Sequence, residues 1–178
     1  LQSFIDNLIE AASIEGGRFK VNVKPTAFQG IIDDAVNMVE PIAKRQAIRI
    51  NKPKTKQAFL VIADRRRTSQ ALVNLLSNAI KFSPQDGQIS LSTVLMGDQV
   101  LIEVGDQGKG VSEERQSQLF NRFISSSSHD DNADFGLGLG LAVVKAIIEA
   151  QSGSVGFKNR EEGGALFWIT LPLALDEA

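Results

Sequence analysis

The chain has 178 residues, of which 43% are hydrophobic and 22% are charged, which is ordinary for a globular domain. Its formal net charge of −2 supplies no overall positive field that would attract nucleic acid or an anionic membrane. The absence of cysteine excludes disulfides and thiolate chemistry, and a single histidine argues against a histidine-rich metal site.

The first predicted element is a short amphipathic helix. Its apolar residues recur at helical spacing and form one stripe, which contains Leu1, Phe4, Ile5, Leu8 and Ile9. Gly16 and Gly17 then end the helix. Because so short a helix is marginal alone, we expect it to pack against a partner helix or to continue in a longer protein.

The next segment predicts a strand followed by a helix. Residues 19–23 alternate between apolar and polar side chains, as a strand does. Pro25 and Thr26 then open a helix with Thr26 as the expected N-cap. Pro41 is expected to kink or end this helix because proline removes a backbone donor and clashes with the preceding turn.

The remaining chain mixes strand and helix patterns. The predicted strands cover residues 47–50, 58–64, 88–96, 99–106, 154–158 and 165–172, and the predicted helices cover residues 65–82 and about 139–151. Residues 124–135 are polar and aperiodic, and a loop of this length in a compact domain is usually functional. The mixed order predicts a two-layer α/β sandwich with helices on one face of the sheet.

Three glycines alternate with leucines at the start of the last predicted helix. Glycine lets a backbone approach a ligand closely, and a helix N-terminus offers unpaired N–H groups and a positive dipole end. Gly136, Gly138 and Gly140 therefore predict a polyphosphate site, with Leu137 and Leu139 among the residues that anchor the loop. A flexible hinge is the alternative interpretation of this pattern.

A second glycine-rich stretch, DQGKG at residues 106–110, follows a predicted strand. Asp106 could accept a hydrogen bond from an exocyclic amine such as adenine N6. Gly108 and Gly110 would let the base and sugar lie against the main chain. The alternative is a plain Asx turn after a strand.

Polar residues share one face of the helix predicted over residues 65–82. Asn74, Asn78 and Lys81 are spaced at i, i+4 and i+7. An amide oxygen is a neutral hard ligand for Mg²⁺, and a lysine beside it can contact phosphate oxygens. For Asn74, a hydrogen bond that satisfies the core is an equal alternative. Arg122, at the entry to the long polar loop, could reach a phosphate or simply be a solvated surface charge.

Together these motifs resemble the ATP-binding catalytic domain of sensor histidine kinases, in the superfamily that also contains gyrase, Hsp90 and MutL. NLLSNAIKF resembles the N box, DQGKG the G1 box, LFNRF the F box, GLGLGLA the G2 box and GGALFWITLP the terminal strand pair. The start of the chain resembles the end of the second dimerisation-domain helix and its connector. We therefore expect a connector part at residues 1–17 and a catalytic ATP-binding domain at residues 18–178.

The resemblance implies a Bergerat-type fold with a mixed, mostly antiparallel sheet, and it implies roles for particular residues. Asn78 would coordinate Mg²⁺ with support from Asn74, and Asp106 would bond adenine N6 with assistance from Thr170 through water. The remaining expected contacts with ATP come from Lys81, Gly108, Gly110, Arg122, Phe123, Gly136, Leu137, Gly138, Leu139 and Gly140. Residues 124–135 would form the lid over the nucleotide.

By this resemblance the chain transfers the γ-phosphoryl group of ATP to a histidine outside it, because His129 lies in the polar loop without helical context. The implied partners are a histidine-bearing dimerisation domain and a response regulator receiver domain, in a cytoplasmic part of a homodimeric parent. One alternative is an ATPase or conformational switch of the same superfamily, which would carry glutamate where this chain has Asn74. The other is an interaction module with a degenerate site.

Overall fold

The computed structural model describes residues 2–53, 58–121 and 137–175, with the backbone alone for residues 2–4, 137 and 138. The helices in these residues are α1 (Gln2–Glu15), α2 (Phe28–Arg45), α3 (Arg65–Phe82), α4 (Glu113–Gln116) and α5 (Leu137–Glu149). The strands are β1 (Lys24–Ala27), β2 (Arg49–Asn51), β3 (Leu60–Ala63), β4 (Gln88–Met96), β5 (Gln99–Gly105), β6 (Val155–Asn159) and β7 (Ala165–Pro172). None of the described helices is long and apolar enough to cross a membrane.

The main sheet has five strands in the order β2-β4-β5-β7-β6. β2 pairs with β4 in parallel, and the other three pairings are antiparallel. The predicted hairpin joins β4 to β5, and Gly97 in its turn adopts a left-handed φ of 61° that suits glycine. β1 and β3 form a separate antiparallel pair, which a bridge between Val61 and Leu173 links to the main sheet. The expectation of a mixed, mostly antiparallel sheet is confirmed.

The helices cover one face of this sheet. In β5, Val100, Ile102 and Val104 are buried, whereas Leu101 and Glu103 between them are half-buried, so one face of the strand lies in the core. Buried side chains of α2, α3 and α5 fill the other half of the core, among them Ile32, Leu72 and Ile147. The two-layer α/β sandwich is therefore confirmed.

The chain between residues 18 and 28 differs from the sequence prediction. The strand lies at Lys24–Ala27 rather than at residues 19–23, because these later residues pair with β3. Thr26 is not the N-cap: its hydroxyl donates to the carbonyl oxygens of Lys24 and Ala63, at 2.8 and 3.0 Å. Ala27 occupies the N-cap position of α2 without a side-chain hydrogen bond.

α2 continues past Pro41 to Arg45, so of the two predicted effects of this proline, a kink or an end, the end of the helix is wrong. A proline at this position removes the hydrogen bond to the carbonyl of Asn37. Pro41 and Asn37 are both exposed, so water can satisfy that carbonyl.

α3 carries the predicted N box, and hydrogen bonds with Asp64 and with Asp34 of α2 hold its first turn. The Asp64 carboxylate accepts a hydrogen bond from the backbone N–H of Arg67 at 3.0 Å, as an N-cap residue does. Arg65 donates from Nε and Nη2 to the two carboxylate oxygens of Asp34 on α2, at 2.7 and 3.0 Å. These hydrogen bonds from Arg65 hold the pKa of Asp34 below its usual value.

α1 docks on the domain through polar side chains. Glu10 forms an ion pair with Arg67, and the amide of Asn7 bonds to the amide of Asn74. Three residues of the predicted apolar stripe on the same helix, Ile5, Leu8 and Ile9, are 42%, 48% and 62% exposed. These three side chains of the predicted stripe are therefore exposed rather than packed into the core.

Candidate nucleotide-binding site

The polar face of α3 lies at one wall of the candidate site. Asn78 is half-buried, and its amide Nδ2 is a buried donor for which the described residues supply no acceptor. Lys81 lies one turn later and is exposed, with its ammonium 5.6 Å from the centre of the Phe82 ring. Because buried donors in folded proteins are normally paired, the amide of Asn78 is suited to a ligand or to water.

Asn74, one turn earlier on the same face, is 8% exposed and already hydrogen-bonded. Its Nδ2 donates to Asn7 Oδ1 at 3.2 Å, and its Oδ1 accepts from Asn7 Nδ2 at 3.3 Å. Nδ2 also lies 3.5 Å from the carbonyl oxygen of Gly140. These contacts favour the alternative in which Asn74 satisfies the core, and its support of a metal ion stays a prediction.

Asp106 lies directly after β5 and is 4% exposed. Its Oδ1 accepts two backbone hydrogen bonds, from Gly108 at 2.8 Å and from Ala165 at 3.1 Å. The first of these is the Asx turn that the sequence suggested as the alternative. No described residue donates to Oδ2, so the turn and the predicted role as a ligand acceptor are compatible.

The loop at residues 106–110 rests on the C-terminal end of α3. A Cβ on Gly108 would lie 2.6 Å from the carbonyl oxygen of Phe82, so only glycine allows this approach. Gln107 accepts a hydrogen bond from the backbone of Gln88 at 2.7 Å and donates its own N–H to Ser83 Oγ at 3.4 Å. The fold thus brings the DQGKG loop next to the helix end that carries Lys81.

The glycine-leucine stretch starts α5 rather than preceding it. The helix begins at Leu137, two residues earlier than predicted, so Gly138 and Gly140 lie in its first turn. A Cβ on Gly140 would lie 3.8 Å from Asn7 Nδ2 and 3.9 Å from Asn74 Cγ, which places this turn beside α3 and α1. Leu139, at the same end of the helix, is half-buried.

Several predicted site residues lie outside the described residues. These are Arg122, Phe123, Gly136 and the expected lid at residues 124–135, which contains His129. Phe120, the first aromatic residue of LFNRF, is described and packs edge-on against Phe167 of β7 with ring centroids 6.4 Å apart.

The structure does not bring Thr170 to Asp106. Leu166 is the Cα partner of Gly105, and Thr170 lies four positions further along β7, or about 14 Å at the rise of a strand. Its hydroxyl accepts a hydrogen bond from the backbone of Ser154 at 2.9 Å. The prediction that Thr170 assists Asp106 through water is therefore wrong, because the residue of β7 that contacts Asp106 is Ala165.

Comparison with known proteins identifies the family. A family model described as "Histidine kinase-, DNA gyrase B-, and HSP90-like ATPase" matches residues 63–175, which is more than half of the chain. The chain belongs to this family. The matched range includes the polar face of α3, the Asp106 loop, α5 and the last two strands.

Curated relatives are sensor kinases. The chain is 30% identical over 171 residues to the sensor protein KdpD of Clostridium acetobutylicum, covering 96% of this chain and 19% of that protein. It is 31% identical over 180 residues to the circadian input-output histidine kinase CikA of Thermosynechococcus vestitus, covering 99% of this chain and 24% of that protein. The chain thus spans about a quarter or less of these two proteins.

Solved structures of histidine kinases share the fold. Full-length ShkA in complex with AMPPNP superposes with a TM-score of 0.81 at 26% identity, covering 99% of this chain and 36% of ShkA. The catalytic domain of ThkA superposes with a TM-score of 0.72 at 25% identity, covering 85% of this chain and 97% of that domain. The resemblance drawn from the motifs is confirmed: the chain is an ATP-binding catalytic domain of the histidine kinase type.

Proposed function

We propose that this chain binds Mg-ATP and transfers the γ-phosphoryl group to a histidine on a separate segment of its parent protein. The observation that carries the proposal is the carboxylate of Asp106. One of its oxygens is committed to two backbone N–H groups, and the other receives no hydrogen bond from the described residues. A free acceptor on a largely buried side chain, beside glycines that admit a ligand, suits the exocyclic amine of adenine.

The residues present fit a magnesium ion that arrives with the nucleotide. The described residues contain no group of three or more acidic or histidine side chains that could hold a metal ion alone. Mg²⁺ is commonly held by few protein ligands together with substrate phosphates and water, and Asn78 offers an amide oxygen for this purpose. When bound, Mg²⁺ would neutralise phosphate charge. Lys81 and Arg122, whose phosphate contacts are predicted from the sequence, would contact phosphate oxygens.

The same site disfavours rapid hydrolysis of ATP. Catalysis of phosphoryl transfer consists mainly of positioning and charge stabilisation, and hydrolysis additionally needs a group that orients or deprotonates water. Asn74 stands where hydrolytic members of the superfamily carry glutamate. Its amide cannot accept a proton at neutral pH, and Asn7 occupies it. Phosphoryl transfer to a histidine is therefore the better supported activity.

The partners follow from the relatives and from α1. ShkA was solved with AMPPNP, and ThkA was solved in complex with the response regulator TrrA. By analogy, we propose that a response regulator receiver domain receives the phosphoryl group from the parent of this chain. We place the chain in the cytoplasm. The exposed stripe of Ile5, Leu8 and Ile9 would pack against helices of a histidine-bearing dimerisation domain in a homodimer.

Transfer to a separate acceptor tests the proposal. The chain is incubated with ATP labelled on the γ-phosphate and Mg²⁺, alone and with a helix pair that carries the phosphoacceptor histidine of a relative such as KdpD. We expect acid-labile label on the helix pair only, formed slowly because the encounter is bimolecular. Asn78→Ala should abolish labelling, whereas Asn37→Ala, on the exposed side of α2, should leave it unchanged. Label on the chain alone that His129→Ala removes would overturn the proposal.

A further inference from the structure

Residues 159–165 comprise the turn between β6 and β7 with one flanking residue of each strand, and they hold Asp106, the first residue of the DQGKG loop at residues 106–110. Arg160 donates from Nη1 to the carbonyl oxygen of Asp106 at 3.0 Å. Ala165 exchanges two further hydrogen bonds with the same residue: its N–H donates to Asp106 Oδ1 at 3.1 Å, and its carbonyl accepts from the Asp106 N–H at 2.9 Å. The main chain and the carboxylate of Asp106 are therefore both anchored to this turn.

The same turn holds the other end of the loop through Asn159. The side-chain oxygen of Asn159 accepts from the N–H of Val111 at 2.8 Å, and its Nδ2 donates to the carbonyl of Val111 at 2.8 Å. The amide of Asn159 thus pairs with both the backbone N–H and the backbone carbonyl of Val111, as a neighbouring β-strand would. The loop is thereby closed at Asp106 and at Val111 by adjacent residues, Arg160 and Asn159.

Close packing removes the remaining freedom of the loop. Gly164 has a φ of 87°, and a Cβ at this position would overlap the carbonyl oxygen of Asp106. A Cβ on Gly110 would lie 2.9 Å from Asn159 Oδ1. On its inner side the loop lies against the carbonyl of Phe82 at the end of α3. The Asp106 carboxylate is consequently fixed between the turn and the helix.

We propose that Asn159 and Arg160 are positioning residues that set the selectivity of this site for adenine over other purines. This inference rests on the proposed binding of ATP through Asp106. Adenine presents an amine donor at ring position 6, whereas hypoxanthine presents an oxygen there and an N–H at ring position 1. A fixed carboxylate accepts from the adenine amine and repels the hypoxanthine oxygen, whereas a loosened loop lets the carboxylate shift toward the ring N–H.

The test compares the affinities of the full chain for ATP and inosine triphosphate by calorimetry with Mg²⁺. We expect the unaltered chain to favour ATP by about a hundredfold or more, since a site built for an amine rejects an analogue that lacks it. Arg160→Ala and Asn159→Ala should each lower this ratio by about tenfold, chiefly by improving the relative binding of inosine triphosphate. Arg160→Lys, which keeps one donor, should restore most of the ratio.

Two controls separate positioning from stability. Glu162→Ala removes the carboxylate 3.6 Å from Arg160 Nη2 but none of the contacts with Asp106, so the ratio should not change. Fluorescence of Trp168, the only tryptophan, whose ring packs on Gly156 across β6 and β7, reports whether the strand pair has formed. Equal losses of affinity for both nucleotides in folded variants would overturn the positioning role alone. Equal affinity of the unaltered chain for both nucleotides would overturn the adenine contact of Asp106, whereas no binding of either nucleotide would overturn the proposed function as well.

Discussion

The Asp106 carboxylate has a structural role in the loop and, in the proposed function, a ligand-binding role as well. Oδ1 accepts from the backbone of Gly108 and Ala165, and this pair of bonds determines which oxygen remains for a ligand. A side chain with the same shape must keep an oxygen at the Oδ1 position, since the N–H groups of Gly108 and Ala165 would otherwise be unpaired. In the proposed site, the other terminal atom of the side chain would therefore decide which purine is accepted.

Asp106→Asn should reverse the purine preference of the site. The asparagine oxygen must face the two N–H groups, so its Nδ2 faces the ligand and meets the adenine amine donor to donor. We expect ATP affinity to fall by about a hundredfold, and inosine triphosphate to bind about tenfold more tightly because its oxygen accepts from Nδ2. Calorimetry with both nucleotides measures this.

The matched control is Asp98→Asn, at the turn that joins β4 to β5, which should change neither affinity. Asp106→Asn with unaltered ATP affinity would remove Asp106 from the adenine contact. A loss of ATP binding without any gain for inosine triphosphate would mean that the asparagine does not adopt the orientation argued here.

Sequence patterns could identify Asp106 and Asn78 because each stands at a fixed place in a local element, a strand end or a helix face. They could not place Thr170, since its distance from Asp106 depends on the register between β5 and β7. The contact between Asn7 and Asn74 joins residues 67 positions apart and leaves no local signal. The turn at Asn159 and Arg160 was missed for the same reason.

α1 reverses the usual orientation of an amphipathic helix. Its contacts with the domain come from polar Asn7 and Glu10 together with Ala11 and partly buried Ile14, whereas the stripe residues Ile5, Leu8 and Ile9 are exposed. The ion pair of Glu10 with Arg67 is largely buried, with 11% and 13% of the side chains exposed. Arg67 also lies over the ring of Phe19, 4.9 Å from its centre, so the connector after α1 contributes to the same cluster.

Glu10→Ala should release α1 from the domain without unfolding it. Removing one partner of a buried ion pair costs about 3–5 kcal/mol when the other charge stays buried. Undocking of α1 exposes Arg67 to water and limits that cost. Hydrogen exchange should therefore accelerate across α1 and remain slow in α3.

Asp6→Ala provides the control for this exchange experiment, because Asp6 is an exposed carboxylate on the same helix. It should leave the protection of α1 unchanged. Protection of α1 that survives in Glu10→Ala would show that Ala11 and Ile14 hold the helix without the ion pair.

Among the elements, long periodic helices such as α3 were predicted well, whereas the short strand β1 was predicted at the wrong residues. The apolar spacing of α3 and the cap at Asp64 define that helix locally. β1 instead depends on pairing with β3, more than 30 residues later, and this pairing overrides the alternation at residues 19–23. The same pairing uses the hydroxyl of Thr26 and so prevents it from capping α2.

The described residues share one core, which extends beyond the range of the family match. Residues 63–175 match the family, yet α2 lies before this range and packs against α3. The large buried side chains of α2 are Phe28, Ile31, Ile32, Val36 and Val39. The predicted boundary at residue 18 is consistent with this packing, and it stays a prediction until it is tested.

Two shortened chains test that boundary. A chain of residues 18–178 should fold and bind ATP, because it retains α2 and every strand of both sheets. A chain of residues 63–175 should not fold, since it lacks β1, β2, α2 and most of β3. The five large side chains of α2 contribute about 1.5–3 kcal/mol each by burial, or about 8–15 kcal/mol together, which equals the whole stability of a typical domain. Circular dichroism during heating measures the outcome for each chain, and a cooperative transition in the chain of residues 63–175 would contradict the single shared core.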